Sequence, residues 1–62
     1  MDRRIVIKLL KDNGYTKSRK VRHGYYYHKD NIITIVPSHD KELSVGVVKS
    51  IERDTGIIMI LR

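Results

Sequence analysis

An α+β domain in the order helix, three antiparallel strands, helix is the fold that these 62 residues predict. Three observations lead there. Apolar residues recur at helical spacing near both ends of the chain, the period falls to two between Tyr15 and Val36, and the connections within that middle stretch are short enough to require antiparallel pairing. Both helices must cover one face of the three-stranded sheet to bury their stripes, which leaves the other face open.

The first helix is expected from Arg3 to Asn13. Ile5, Val6, Leu9 and Leu10 gather on one side, with Ile7 at the margin. Asp2 suits its N-cap, because a carboxylate there accepts from the orphan amides of the first turn, and Gly14 suits the left-handed residue that ends it. Arg4, Lys8 and Lys11 stack on the opposite side as a basic stripe. Beyond Gly14, Tyr15 to Arg19 alternates, Tyr25 to His28 is aromatic and Ile32 to Val36 is β-branched almost throughout, giving three strands. Lys29-Asp30-Asn31 makes a tight turn between the second and third, and Lys20 to Gly24 a looser connection between the first and second. Pro37 has no amide to donate and stops the third strand. Ser44 then caps a second helix with Val47, Val48, Ile51 and Thr55 on one face and Lys49 and Arg53 outside, closed by Gly56.

Composition narrows the function. So short a chain makes one domain with a small core. The absence of cysteine excludes disulfides, thiolate zinc sites and cysteine nucleophiles, and fits a cytoplasmic setting. The longest apolar runs, Ile32–Val36 and Ile57–Leu61, fall far below the roughly 20 residues that span a bilayer. A net charge of +6 points to a polyanion or an acidic protein as partner.

Residues 19–28 are the most informative stretch. Lys17, Arg19, Lys20, Arg22 and Lys29 lie between Asp12 and Asp30 with no acid among them, and they surround His23 at the head of Tyr25, Tyr26 and Tyr27. Cations for phosphate oxygens, rings that stack on bases and a side chain that exchanges protons near neutral pH are together what cleaving RNA requires. Without a metal, that cleavage needs a proton removed from the ribose 2′-hydroxyl, charge stabilised on the phosphorane and a proton delivered to the departing 5′-oxygen. His23 can take the first task, with Arg22, Lys20 or Lys29 supplying the charge. His28 is read as structural or merely exposed, and His39, after Pro37, as a lesser candidate for a second proton donor. No closely spaced histidine pair supports zinc, so no metal and no cofactor is expected.

Three motifs resemble a known family. Lys11-Asp12-Asn13-Gly14-Tyr15 closes the opening helix, Tyr26 follows His23 by three, and Ile35-Val36-Pro37 precedes Glu42-Leu43-Ser44-Val45-Gly46-Val47-Val48-Lys49-Ser50-Ile51 and Gly56-Ile57. From Arg4 to Ile57 the chain resembles the HicA toxins, ribonucleases of bacterial toxin–antitoxin pairs with a fold like that of double-stranded-RNA-binding domains. The resemblance implies a metal-independent endoribonuclease, an mRNA interferase, in which His23 is the single catalytic histidine, RNA is the substrate and a HicB-type antitoxin is the partner. It also aligns Tyr26 with the core aromatic, which would leave Tyr25 and Tyr27 on the open face beside His23 as stacking platforms. Lys17, Arg19, Lys20, Arg22, Tyr25, Tyr27 and Lys29 are then the expected RNA contacts. Val21 and Arg22 stand where the family has glycine and serine, so a non-catalytic RNA-binding module of the same fold is the alternative.

Residues 1–57 are read as one domain and residues 58–62 as an apolar tail that the resemblance does not explain. That run is expected to be extended, with Ile58 and Ile60 facing one way against the first helix, a second copy or the antitoxin.

Overall fold

The computed structural model describes residues 1–60 as α1 (Arg3–Asp12), β1 (Thr16–Val21), β2 (Gly24–Lys29), β3 (Ile32–Pro37) and α2 (Val45–Thr55). The strands form one antiparallel sheet in the order β1-β2-β3. No helix is long and apolar enough to cross a membrane among the described residues.

Both helices begin and end where their sequences direct. The Asp2 carboxylate accepts the Arg4 amide at 2.7 Å and the Ser44 hydroxyl accepts that of Val47 at 3.3 Å, each satisfying an amide that has no partner within its helix. At the far ends Gly14 and Gly56 take φ of 89° and 77°, and Gly56 donates to the Glu52 carbonyl at 2.7 Å.

The core lies between the helices and one face of the sheet. Val6 and Leu10 of α1, Val48 and Ile51 of α2, Tyr27 of β2 and Val36 of β3 are buried together, joined by Tyr15, Leu43 and Met59. Thr34 is buried on the same face and its hydroxyl lies 3.4 Å from Asp54 of α2. Paired residues of an antiparallel sheet share a face, so Tyr25 and Tyr27, opposite Val36 and Thr34, point toward the helices. Tyr26, opposite Ile35, and His28, opposite Ile33, point the other way.

This corrects the expected parity of β2. Tyr27 is only 2 % exposed and belongs to the core, whereas Tyr26 lies on the open face beside Ile33 and Ile35. The third strand is apolar on both sides, so its composition left either parity possible. The helix-side position of Thr34, anchored to α2, belongs to the arrangement that the fold adopts.

The tail is corrected in the same sense. Met59, not Ile58, is buried, and Ile57 and Ile60 pack against the core while Ile58 is exposed. Packing therefore continues beyond residue 57. One carboxylate oxygen of Glu52, on the buried side of α2, accepts the amides of Met59 at 2.7 Å and Ile60 at 2.8 Å. Two short hydrogen bonds to one buried oxygen thus fix where the tail enters the core. Leu61, the last apolar residue of the run, lies outside the described residues.

At the other terminus, the Met1 ammonium donates to the Leu43 carbonyl at 3.0 Å and pairs with Glu42 at 3.1 Å. The Arg3 amide donates to the Lys41 carbonyl at 2.8 Å, and Asp2 and Glu42 form a short antiparallel bridge. The β3–α2 loop is thus held by the start of the chain.

Gly24 shows how closely the backbones approach. It is buried opposite Pro37, and a Cβ there would lie 2.8 Å from the Val36 carbonyl carbon and 2.9 Å from the Pro37 Cα, both rigid backbone atoms. A Cβ at Gly46, in the first turn of α2, would meet nothing within 4 Å. The same substitution should therefore have opposite effects. Gly24→Ala is expected to lower stability by at least about 1–3 kcal/mol and Gly46→Ala to raise it by about 0.5–1 kcal/mol, read by denaturant unfolding. Equal effects of the two would contradict the close approach of β2 and β3.

Candidate active site

His23 stands on a tighter turn than its sequence predicts. Val21 pairs with Gly24, so Arg22 and His23 are the whole connection between β1 and β2, not part of a loose Lys20–Gly24 loop. A bulge accounts for the difference. Lys17 pairs with Tyr27 and Lys20 with Tyr25, which leaves Ser18 and Arg19 together opposite Tyr26. The extra residue taken up by β1 carries its pairing through to Val21.

The bulge also decides where the cations point. Lys17 and Lys20 are three apart and would occupy opposite faces of a regular strand, yet their partners Tyr27 and Tyr25 place both on the helix side. Lys17 Nζ lies 4.7 Å from the centroid of the Tyr25 ring, and Lys29 Nζ lies 6.0 Å from that of Tyr15. These cation–π contacts hold two ammonium groups along the sheet. Arg19 and Arg22 are exposed, the first in the bulge and the second on the turn.

The backbone of His23 is tied to the chain just beyond β3. Its carbonyl accepts the Ser38 amide at 2.9 Å, extending the β2–β3 ladder past Pro37, and the Ser38 hydroxyl lies 3.5 Å from the same oxygen. His39 follows directly. The two imidazole rings lie edge to face with centroids 6.2 Å apart and an interplanar angle of 65°, and both are exposed. Arg3 of α1 donates from Nη1 to the Ser38 carbonyl at 3.1 Å, bracing the segment from behind. Its Nε is buried with no hydrogen-bond partner, so the guanidinium is held by its terminal nitrogen and its packing.

Other candidates are placed elsewhere. His28 is near the opposite end of β2, on the open face between Thr16 and Ile33. Tyr27 has no exposed ring with which to stack, and Tyr25 is half-buried with Lys17 against it. In the basic stripe of α1, Arg4 is engaged by Asp2 through two contacts of 3.3 and 3.1 Å. Those hydrogen bonds hold the Asp2 carboxyl below its ordinary range and push the Arg4 guanidinium up. Lys8 and Lys11 remain exposed on that stripe. No group of three His, Asp or Glu side chains among the described residues is arranged to hold a metal ion. Sequence reasoning missed Arg3 and Ser38, whose roles depend on a contact across 35 residues that no local pattern records.

A basic α-β-β-β-α domain that displays a histidine on a hairpin turn among cations defines the class of protein. The chain belongs to the HicA toxin family: the family model described as HicA toxin of bacterial toxin–antitoxin matches residues 3–57. It is thus the toxin of a toxin–antitoxin system, with a HicB antitoxin as partner. No curated protein and no solved structure matches the chain.

Burial pushes the Tyr27 phenol above its ordinary value, because the phenolate loses more hydration than the neutral ring. Its contribution to stability is present below the usual tyrosine range and is lost as pH rises through the folded-state value. A spectrophotometric titration of the folded protein should show a phenol that ionises after the ordinary range near about pH 10, and Tyr27→Phe should remove that late component. A late component unchanged in the variant would contradict the inward placement.

Proposed function

We propose that this toxin is a metal-independent endoribonuclease acting on mRNA, with His23 as its acid–base residue. The observation that carries this is the position of His23: exposed on a two-residue turn, tied through its carbonyl to Ser38 and flanked by Arg22. A loop-borne imidazole with a fixed backbone can reach a polymer that no enclosed pocket would admit. Family membership supports the reading.

Lys17, Arg19, Lys20, Arg22 and Lys29 provide the electrostatic track. With Lys17 and Lys20 on one side of the β1 edge and Arg22 at its end, phosphates of a single strand can follow the edge toward His23. Tyr25 contributes by holding Lys17, and Tyr27 by supporting the strand from the core. Arg22 is positioned to stabilise the charge that develops on the phosphorane. The HicB antitoxin then inhibits by laying acidic side chains over this basic edge and His23, which keeps the toxin silent until the antitoxin is lost.

Two outcomes test this. Expression of the chain alone should arrest growth and degrade RNA in the presence of a strong chelator, and His23→Ala should reduce cleavage by about 10²–10⁴-fold with an unchanged melting temperature. A folded His23→Ala protein that cleaves at the wild-type rate would exclude His23 as catalyst, and one that binds RNA like a wild type that never cleaves would make the chain a binding module. For binding, the affinity of the His23→Ala protein for single-stranded RNA should fall with salt at a log–log slope of about −0.7 per phosphate contacted. Replacing Lys20 and Lys29 by Ala should flatten that slope, and an unchanged slope would place RNA elsewhere.

A further inference from the structure

We propose that His39 is the second proton-transfer group of this site, giving its proton to the departing 5′-oxygen while His23 accepts that of the ribose 2′-hydroxyl. This rests on the ribonuclease reading above and extends it from one histidine to a pair. Position in the chain does not predict the pairing, since the two are 16 residues apart on different connections. The fold brings them together because β2 and β3 are neighbours whose ends carry the turn and the loop.

Four observations converge. The rings are 6.2 Å apart between centroids, beyond a direct hydrogen bond yet close enough for one phosphodiester to lie between them and be reached from both sides. Both are exposed, as a polymeric substrate requires. The backbones that carry them are joined, because the Ser38 amide, immediately before His39, is bonded to the His23 carbonyl. Arg3 holds that same serine from α1, and the Arg3 amide holds Lys41 two residues beyond His39. A histidine placed by accident in a surface loop would not need its neighbours fixed on both sides.

Charged residues flank the pair: Arg22 precedes His23 on the turn, Asp40 and Lys41 follow His39 on the loop, and Arg3 approaches from α1 behind Ser38. In the step itself the 2′-oxygen forms a bond to phosphorus as the bond from phosphorus to the 5′-oxygen breaks. The 2′-hydroxyl proton passes to His23, and the His39 proton passes to the 5′-oxygen. The products are a 2′,3′-cyclic phosphate and a 5′-hydroxyl end, and proton exchange with water restores the starting forms without any oxidant, reductant or third reactant.

An RNA oligonucleotide in which sulfur replaces the 5′-oxygen at the cleaved linkage separates the two roles, because a thiolate leaves without needing a proton. His39→Ala should slow cleavage of the ordinary oligonucleotide by about 10²–10⁴-fold and leave cleavage of the sulfur-substituted one within a few-fold of wild type. His23→Ala should slow both. His39→Gln, which keeps a polar side chain of similar reach, should behave as His39→Ala, and unchanged melting temperatures establish that the loop is intact. Equal losses on both substrates would make His39 a binding or structural residue, and no loss on either would leave His23 to act with another group; each overturns the inference while leaving the ribonuclease reading in place. A wild-type protein that cleaves neither substrate would overturn that reading and this inference with it.

Discussion

The close backbone approach of β2 to β3 at Gly24 is the constraint on which the rest of the structure depends. Because no side chain intervenes, Gly24 lies against Val36 and Pro37, and the ladder continues one residue further through the Ser38 amide and the His23 carbonyl. Pro37 cannot donate, so the next residue supplies the bond. That bond joins the β1–β2 turn to the β3–α2 loop, and the start of the chain then clasps the loop through Arg3 and Met1. A domain this small cannot fix a site by burying it. It fixes the site by tying two exposed connections to the end of a sheet.

Much of the architecture was legible in the sequence because it depends on local rules. Asp2, Ser44 and the glycines at 14 and 56 bound the helices as their chemistry requires, and the β-branched run from Ile32 marked a strand. Side-chain direction in the sheet was less legible. A strand such as Ile32–Val36 is apolar on both faces, so only the burial of Thr34 and Val36 against α2 reveals which side faces inward, and the inward placement of Tyr27 follows from that register. In the tail Ile60 packs against the core as expected, but Met59 takes the inward place expected of Ile58, where a buried glutamate accepts its amide. Pattern alone could not foresee a carboxylate used as an anchor for backbone amides.

The candidate site was legible in part for the same reason. His23 and the cations about it form a local cluster that composition exposes directly. The bulge at Ser18 and Arg19, by contrast, has no strong signature, yet it brings Lys17 and Lys20 to one side of β1 and tightens the turn below His23. The proximity of His39 is a tertiary fact, created by the pairing of β2 with β3. Val21 and Arg22, where the resemblance implies glycine and serine, are accommodated without positive φ, which among the described non-glycine residues occurs at Asp30 alone.

In the proposed function RNA is held at the sheet end carrying His23 and His39, and not on the open face of Tyr26, His28, Ile33 and Ile35. Chemical-shift mapping with an oligonucleotide methylated at its 2′-oxygens tests this most directly, since the nucleophile is blocked and the complex persists. The imidazole signals of His23 and His39 are expected to shift together, with the amides of Arg22 and Ser38, and a contact between the two rings is expected in the free protein. Shifts confined to Tyr26, His28, Ile33 and Ile35, with both imidazoles of the sheet end unmoved, would contradict it.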